Sequence, residues 1–225
     1  MATQLPLDLP TRTALGREDY FISRSNAVAL ASLESWRDWP NRKMVLTGHK
    51  GSGKTHLAHV WAASSRAAIV QATDLQDADI SRLASGNLVV EDAHCVVGDP
   101  MREEALFHTH NMVLAEGHHL LLTAPRAPSR WGIVLPDLRS RLEGTSLAVL
   151  EEPDDALLAA MLTKQFADRQ LMPTPEAITY LLRNMDRSAA EAVRVVAQMD
   201  RRALAQGRKI TRKLALEVLQ SPDAL

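Results

Sequence analysis

The residues that could do chemistry begin with a glycine-rich segment that also carries a lysine and a threonine. Gly48-x-x-x-x-Gly53-Lys54-Thr55 follows an apolar stretch and precedes a helical pattern. The glycines let the backbone turn so that several N–H groups point at the phosphates of a nucleotide, while Lys54 adds a charge and Thr55 offers a hydroxyl to Mg²⁺. The following helix directs the positive end of its dipole at the same anion. The pattern predicts a phosphate loop (residues 48–55), whose candidate contacts are Gly48, Gly51, Ser52, Gly53, Lys54, Thr55 and His56.

A pair of acidic residues after a later apolar run is the candidate partner of this loop. The segment reads Asn87-Leu-Val-Val-Glu91-Asp92, and Mg²⁺ is held partly through carboxylates and their bound waters. We expect Glu91 to hold the ion through water and Asp92 to stand where a residue orients the attacking water; the alternative is a solvated turn after a strand. Because Glu-Asp reverses the commoner order and Asp92 reaches less far, we expect weak ATP hydrolysis or none by this chain itself.

The elements that must position these residues follow from the recurrence of short apolar runs. The runs lie at 44–46, 67–70, 88–90, 120–122 and 147–150. Helix-length segments lie between most of them, notably 54–65 and 101–116, and a further helix is predicted from 26 to 39, before Pro40. This alternation predicts an α/β fold with a parallel sheet wrapped by helices. Continuous apolar strands fit burial on both faces of the sheet.

The composition changes after Pro153, where the strand signals cease. Helical patterns follow at 154–170, 175–184, 188–206 and 211–220. Ser188-Ala-Ala-Glu191 is a capping-box pattern at the start of the third helix. Upstream of the strands, residues 1–16 show no helical period and read as an extended tail. We therefore predict three parts: the tail (1–16), a nucleotide-binding domain (17–152) and a small all-helical domain (153–225).

Charge and cysteine content exclude several classes of protein. A formal net charge of −1 over 225 residues argues against a protein that is held to nucleic acid by bulk electrostatics. The single cysteine, Cys95, excludes an internal disulfide framework and is expected to be a small buried residue. No run approaches the ~20 apolar residues of a membrane span, and the N-terminus lacks a signal-peptide pattern. These features predict a cytoplasmic protein without a membrane partner.

Four segments resemble the AAA+ ATPases of the DnaA group. They are Gly-Lys-Thr-His-Leu-x-His at 53–59, Val-Val-Glu-Asp at 89–92, Leu-Thr-Ala at 122–124 and Leu138-Arg-Ser-Arg141-Leu. The likeness extends over about residues 18–220, includes the family's helical lid and leaves no sequence for the helix-turn-helix domain beyond it. It is greatest to the short Hda-like regulators of DnaA. The resemblance implies an AAA+ P-loop sheet of five parallel strands with a C-terminal helical lid.

The same resemblance implies roles for residues outside the phosphate loop. Thr123 matches the first sensor, Arg141 matches an arginine finger that reaches a neighbouring subunit's nucleotide, and Arg187 matches the second sensor. For each arginine the alternative is a surface ion pair. The stretch that lies against the adenine is matched by Tyr20, Phe21 and Ile22.

The tail carries a second motif, Gln4-Leu5-Pro6-Leu7-Asp8-Leu9. It resembles the short peptide by which bacterial replication proteins bind the DNA polymerase sliding clamp. A glutamine amide that fixes orientation and leucines that fill an apolar pocket suit such docking. A disordered leucine-containing tail is the alternative. The candidate clamp contacts are Gln4, Leu5, Leu7 and Leu9.

Together these features predict a clamp-tethered regulator of replication initiation that promotes ATP hydrolysis by DnaA. Its own nucleotide, ADP by resemblance or else ATP, with Mg²⁺, would set its shape. Two alternatives stay open: a self-contained P-loop ATPase or small-molecule kinase, and a helicase-loading or DnaA-like adaptor that binds DNA through the basic stretch 187–213. We expect DNA contacts to be indirect or weak, and self-association stays open.

Overall fold

Five short parallel strands form one sheet, and each lies where an apolar run predicts it. The computed structural model describes residues 21–221. The strands are β1 (Lys43–Thr47), β2 (Ala68–Gln71), β3 (Leu88–Glu91), β4 (Leu120–Ala124) and β5 (Ser146–Val149). Their spatial order is β2-β3-β4-β1-β5, with every neighbouring pair parallel. The carboxyl ends of all five strands therefore meet at one edge of the sheet, where open α/β sheets bind ligands.

The strands are connected by helices and short 3-10 turns. The α-helices of the described residues are α1 (Arg24–Glu34), α2 (Lys54–Ser65), α3 (Ile80–Leu83), α4 (Pro100–Ala115), α5 (Pro136–Glu143), α6 (Asp155–Asp168), α7 (Pro175–Asn184), α8 (Ala189–Gln206) and α9 (Arg212–Gln220). One prediction is wrong in extent, because the helix expected over 26–39 ends at Glu34 and gives way to 3-10 turns at Trp36–Asp38 and Pro40–Arg42. None of the helices within residues 21–221 has the length and apolar character that crossing a membrane requires.

The residues of the three central strands β1, β3 and β4 are buried on both faces, as their continuous apolar sequences predict. The prediction is wrong for the edge strands β2 and β5, whose residues are mostly exposed or half-buried. Val45 and Val90 belong to one core, which includes residues of α4 and α5, whereas Leu46 and Val89 belong to a second core, which includes residues of α1 and α2. Alternate residues of a strand point to opposite faces, so one run feeds both cores. Each fully buried Val or Leu contributes roughly 1.5–3 kcal/mol relative to an exposed one.

The four helices α6 to α9, called here the helical unit, have a third core of their own. Phe166, Leu181, Val196 and Leu214 are buried in it. The four helices agree with the prediction within two residues at each end. The predicted domain boundaries remain a prediction, and the tail lies outside the described residues.

The N-cap predicted for α8 is present in part. The Ser188 side chain accepts a hydrogen bond from the N–H of Glu191 at 3.1 Å. The Glu191 carboxylate, however, pairs with the Arg194 guanidinium at 2.6 Å instead of returning to the cap. One half of the predicted capping box therefore forms, and the Glu191 side chain lies along the helix surface.

Candidate nucleotide-binding site

The phosphate loop connects the carboxyl end of β1 to the first turn of α2. Gly51 and Gly53 have φ values of +80° and +99°, a region that residues with a Cβ rarely adopt. A Cβ at Gly48 would lie 2.6 Å from Ser52 Oγ and 2.8 Å from the carbonyl oxygen of Leu150. All three glycines are therefore required by the path of the loop.

The first turn of α2 supplies unpaired N–H groups and a lysine to the same place. Residues in the first turn of a helix have no intrahelical acceptor for their N–H groups, and their partial positive charge favours an anion. Lys54 Nζ donates to the carbonyl oxygens of Gly48 and His49 at 2.7 and 2.9 Å. Burial lowers the pKa of Lys54, and the Asp92 carboxylate opposes that shift. The ammonium lies across the mouth of the loop, where a phosphate would compensate its burial.

Glu91 and Thr55 provide oxygen atoms suited to a cation. Glu91, at the end of β3, is 5% exposed. Its Oε2 accepts from Gln71 Nε2 at 3.0 Å, but its buried Oε1 has no hydrogen-bond partner. An orphaned carboxylate oxygen is costly unless it meets a donor or a cation. Thr55 is exposed in the first turn of α2, so these residues fit Mg²⁺, which prefers oxygen ligands and retains waters.

A side-chain hydrogen bond ties the carboxyl ends of β3 and β4 together. The hydroxyl of Thr123, which is buried, accepts the backbone N–H of Asp92 at 3.0 Å. Asp92 itself has a left-handed backbone, with φ 50° and ψ 43°, and is exposed. Non-glycine residues in this region cluster at functional sites. The predicted sensor and the predicted water-orienting residue are thus in direct contact beside the phosphate loop.

The helical unit also contacts the phosphate loop, through the start of α8. The Gly51 carbonyl oxygen accepts the N–H of Ala189 at 3.1 Å, and a Cβ on Gly51 would lie only 2.6 Å from Ser188 Cβ. This contact was missed by sequence reasoning, which identified Ser188 only as a helix cap. A cap pattern locates the start of a helix but does not indicate what packs against it.

Arg187 lies directly before this contact, and its guanidinium bonds elsewhere. Its Nε donates to the Pro153 carbonyl oxygen at 2.9 Å, and its Nη2 pairs with Asp155 at 2.6 Å. Pro153 lies in the connection from β5 to α6, and Asp155 is the first residue of α6. The predicted second sensor thus adjoins the phosphate loop while holding the start of the helical unit.

The predicted adenine-facing stretch is only partly described. Phe21 and Ile22 are 48% and 55% exposed, and the Phe21 carbonyl oxygen accepts from Asn26 Nδ2 at 2.9 Å. The Glu151 N–H donates to the Ser25 carbonyl oxygen at 3.2 Å, next to Leu150, which adjoins Gly48. This stretch therefore borders the loop. Tyr20 and the predicted clamp contacts Gln4, Leu5, Leu7 and Leu9 lie outside the described residues.

Two further candidate contacts of the phosphate loop, Ser52 and His56, are buried or half-buried. Ser52 is 5% exposed and its hydroxyl has no hydrogen-bond partner, while His56 is half-buried in the first turn of α2.

The expectation that Cys95 is buried is wrong. Cys95 is exposed, with its Sγ 3.7 Å from His94 Nε2. The 3-10 turn Ala93–Val96 directs Ala93 and Val96 inward and leaves Cys95 outside.

Arg141 does not join this site. It is exposed in the last turn of α5, where its carbonyl oxygen accepts from Lys43 Nζ at 2.5 Å. Lys43 begins β1 and the phosphate loop follows the other end of that strand. At roughly 3.3 Å per strand residue, the two places are about 16 Å apart. Arg141 therefore lies at the opposite edge of the sheet from the loop that its own chain forms.

Comparisons with solved structures identify proteins that share this fold. No protein-family model matches the chain. Domain III of the replication initiation protein DnaA from Thermotoga maritima is similar over 95% of this chain and 98% of its own, with a TM-score of 0.77 and 17% identity. A replication initiator DnaA bound to AMPPCP and single-stranded DNA is similar over 81% of this chain, with a TM-score of 0.68 and 20% identity.

The likeness extends to RuvB and covers only part of the longer proteins. A RuvB variant from Thermotoga maritima is similar over 87% of this chain and 66% of its own, with a TM-score of 0.66 and 16% identity. This chain spans 63% of the length of the DnaA that carries AMPPCP and single-stranded DNA. At these identities the likeness shows the fold, and the chain has the AAA+ P-loop fold seen in domain III of DnaA.

Proposed function

We propose that this chain binds an adenine nucleotide, ADP or ATP, with Mg²⁺ in the phosphate loop. Lys54 and the first N–H groups of α2 would bind the phosphates, and Glu91 with Thr55 would hold the ion. The orphaned Oε1 of Glu91 and the positive φ values of Gly51 and Gly53 support this reading. The DnaA proteins of the same fold that were solved with AMPPCP also support it. A bound metal ion would supply charge neutralisation on the phosphates.

The nucleotide of this chain would set its shape more than serve as a substrate. The N-terminus of α8 touches Gly51, and Arg187 holds the connection to α6, so a ligand in the loop contacts the helical unit directly. In this proposal residues 17–152 form the nucleotide-binding domain and residues 153–225 form its lid. Phe21 and Ile22, with Tyr20, would lie against the adenine, and Asp92 with Thr123 would face the terminal phosphate.

The chain would regulate replication initiation by acting on the ATP that DnaA holds. One observation carries this proposal: Arg141 is exposed at the edge of the sheet opposite its own phosphate loop. A guanidinium in that place serves a neighbour's nucleotide better than its own, and an arginine supplied to another subunit can raise the rate of phosphoryl transfer ~10³- to 10⁵-fold. Residues 4–9 would dock the protein on the sliding clamp.

Single-turnover ATP hydrolysis by DnaA, measured with clamp-loaded DNA and this protein, tests the assignment of Arg141. We expect Arg141→Ala to abolish the stimulation and to leave clamp binding intact. Arg139→Ala is the matched control, because it removes an exposed arginine from the same helix. Equal stimulation by wild type and Arg141→Ala would overturn the assignment.

A pull-down with purified clamp tests the tail separately. Replacing Gln4 and Leu5 with alanine should abolish clamp binding without changing nucleotide affinity. Undiminished capture of the double variant would exclude residues 4–9 as the docking peptide. Multiple turnover of ATP by the isolated chain would favour the alternative of an autonomous ATPase, and salt-sensitive binding of single-stranded DNA would favour a DNA-binding adaptor.

A further inference from the structure

A cavity of about 380 Å³ lies at the amino ends of the strands, away from the phosphate loop. It is lined by Asn41, Arg42, Lys43, His110, Leu114 and Arg141, and is called here the basic cavity. Its size falls at the lower end of the range for small-molecule sites, roughly 300–1,000 Å³. Two arginines and one lysine line it, and no carboxylate does.

Lys43 is the most unusual of these residues because it is only 7% exposed. Its Nζ donates to the Arg141 carbonyl oxygen at 2.5 Å and lies 3.3 Å from His110 Nε2. Burial lowers the pKa of Lys43, and the nearby charge of Arg141 lowers it further. Lysine is almost never fully buried unless it is paired with an acid. Within residues 21–221, Lys43 makes no ion pair, so its charge is compensated only by the Arg141 carbonyl dipole and the ring nitrogen of His110.

Arg42 and Arg141 add positive charge to the same cavity. Within the described part of the chain neither guanidinium forms an ion pair with a carboxylate. Arg42 Nη2 donates to the Leu114 carbonyl oxygen, in the last turn of α4, at 2.8 Å. Capping of helix ends explains one hydrogen bond from Arg42 and one from Lys43. A guanidinium has five donors and an ammonium has three, so capping leaves most of the donors around the cavity unexplained.

The backbone that presents Arg42 is strained. Asn41 and Arg42 have φ values of +53° and +55°, two successive residues with a Cβ in the left-handed region. Such conformations persist where the surrounding structure holds them, and they cluster at ligand clamps and active sites. The turn places Asn41 and Arg42 on the wall that Lys43 and Arg141 complete.

We propose that the basic cavity is an anion-binding site that takes a phosphate group through Arg42, Lys43 and Arg141. A phosphate would supply the negative charge that the three cations lack, and its oxygens would accept charge-assisted hydrogen bonds from them. The phosphate has two candidate sources: a free polyanion such as pyrophosphate, or the nucleotide of a second ATPase subunit. The site itself does not depend on the proposed function; only the second source does.

Titration of ¹⁵N-labelled full-length protein with inorganic pyrophosphate tests the site, because NMR separates it from the phosphate loop. We expect saturable shifts of the amides of residues 41–43 and 141–145, in addition to any shifts of residues 48–55. Arg42→Asn removes a cation while keeping a residue that tolerates positive φ. It should weaken binding at the cavity roughly tenfold or more. Arg139→Ala, which removes an arginine that does not line the cavity, should leave binding unchanged.

A second arm distinguishes the sources. The chain is mixed with DnaA loaded with AMPPCP, and the shifts of residues 41–43 and 141–145 are compared for wild type and Arg42→Asn. Shifts with pyrophosphate that Arg42→Asn weakens support a free polyanion. Shifts that require the loaded DnaA and fall in the variant support a partner's nucleotide. No shift in either arm, or shifts that Arg42→Asn leaves unchanged while its spectrum remains that of a folded protein, overturns the site.

The outcome is separable from that of the proposed function. If Arg141→Ala loses the stimulation of DnaA and the wild-type chain does not bind pyrophosphate, the arginine-finger assignment is supported and a free polyanion is excluded as the source. If the wild-type chain binds pyrophosphate and Arg141→Ala still stimulates DnaA fully, the anion site is supported and the arginine-finger assignment is wrong.

Discussion

The backbone carbonyl oxygen of Gly51 accepts a 3.1 Å hydrogen bond from the N–H of Ala189. This bond joins the phosphate loop to the first turn of α8, and Ser188 packs on the same glycine. The loop that we propose as the phosphate site is therefore in contact with the helical unit at Gly51, where a side chain has no room. Movement of either part changes the environment of the other.

Replacing Gly51 with alanine should disturb this contact and destabilise the fold. The new Cβ would lie 2.6 Å from Ser188 Cβ, and φ there is +80°. We expect the free energy of unfolding to fall by about 2–4 kcal/mol, from the left-handed backbone and the clash together. Urea unfolding measures the change. Gly132→Ala is the matched control, because its φ is +81° and nothing lies within 4 Å of its new Cβ. Equal losses in the two variants would show that the new Cβ is accommodated beside Ser188 without an additional cost.

Glu103 should prove essential to the loop that precedes α5. Its carboxylate is 2% exposed and accepts hydrogen bonds from the backbone N–H groups of Gly98, Val134 and Leu135. In Glu103→Gln an amide replaces one acceptor oxygen, so we expect the free energy of unfolding to fall by about 1–3 kcal/mol in urea titrations. The exposed neighbour offers a control: Glu104→Gln should change stability by about 0.5 kcal/mol or less. Similar midpoints for both variants would contradict this role.

The stability of the protein should fall as the pH is lowered from 7.5 to 5, because of His110. Burial lowers the pKa of His110 to about 4; its hydrogen bond with Asn111 opposes this shift, and Lys43 and Arg141 add to it. Below pH 6.5 the His110 imidazole binds a proton in the unfolded chain, whereas in the folded chain it stays neutral until about pH 4. Stability therefore rises with pH in this window, by about 2 kcal/mol from pH 5 to 7.5.

Urea unfolding at both pH values, for wild type and His110→Gln, isolates this contribution. Glutamine does not titrate, and its amide oxygen can still accept from Lys43. The change in the free energy of unfolding between pH 5 and pH 7.5 should be about 2 kcal/mol smaller in the variant than in wild type. An unchanged difference would show that His110 is not held neutral.

Glu91→Gln should remove the dependence of nucleotide binding on Mg²⁺, if the proposed site is correct. The buried Oε1 of Glu91 has no hydrogen-bond partner within the described residues, which leaves this oxygen available as a ligand for a cation. We expect ADP affinity in the variant to be the same with Mg²⁺ and with a chelator, as measured by calorimetry. Asp92→Asn, which changes the exposed neighbouring carboxylate, should retain the Mg²⁺ effect. A retained effect in Glu91→Gln would remove this residue from the metal site.

Much of the fold follows from patterns that are local in the sequence. All five strands are confirmed, because continuous apolar runs such as 120–122 are buried on both faces. The helices of the helical unit are confirmed, and the start of α8 lies at the predicted cap Ser188, which is a local signal. The end of β3 also predicts that Glu91 lies near the phosphate loop, whereas Thr123 was assigned to the site by resemblance alone. The confirmed features all depend on periodicity, caps or glycine.

Features that depend on tertiary packing were not predictable in this way. Burial of Lys43 and Glu103 contradicts the usual exposure of charged residues and is explained only by acceptors and donors far along the chain. The left-handed pair Asn41 and Arg42 carries no glycine to signal it. Cys95 was expected inside because its residue type is commonly buried, but the short turn places it outside.

The bond between Gly51 and Ala189 has a consequence for biosynthesis. The two residues are well over a hundred positions apart, although they form one wall of the same cradle. Since chains emerge from the ribosome amino end first, the sheet and its phosphate loop are translated long before α8 is available. The contact between the phosphate loop and α8 therefore forms late in translation. A nascent chain released early would have the phosphate loop without the start of α8 that packs against it.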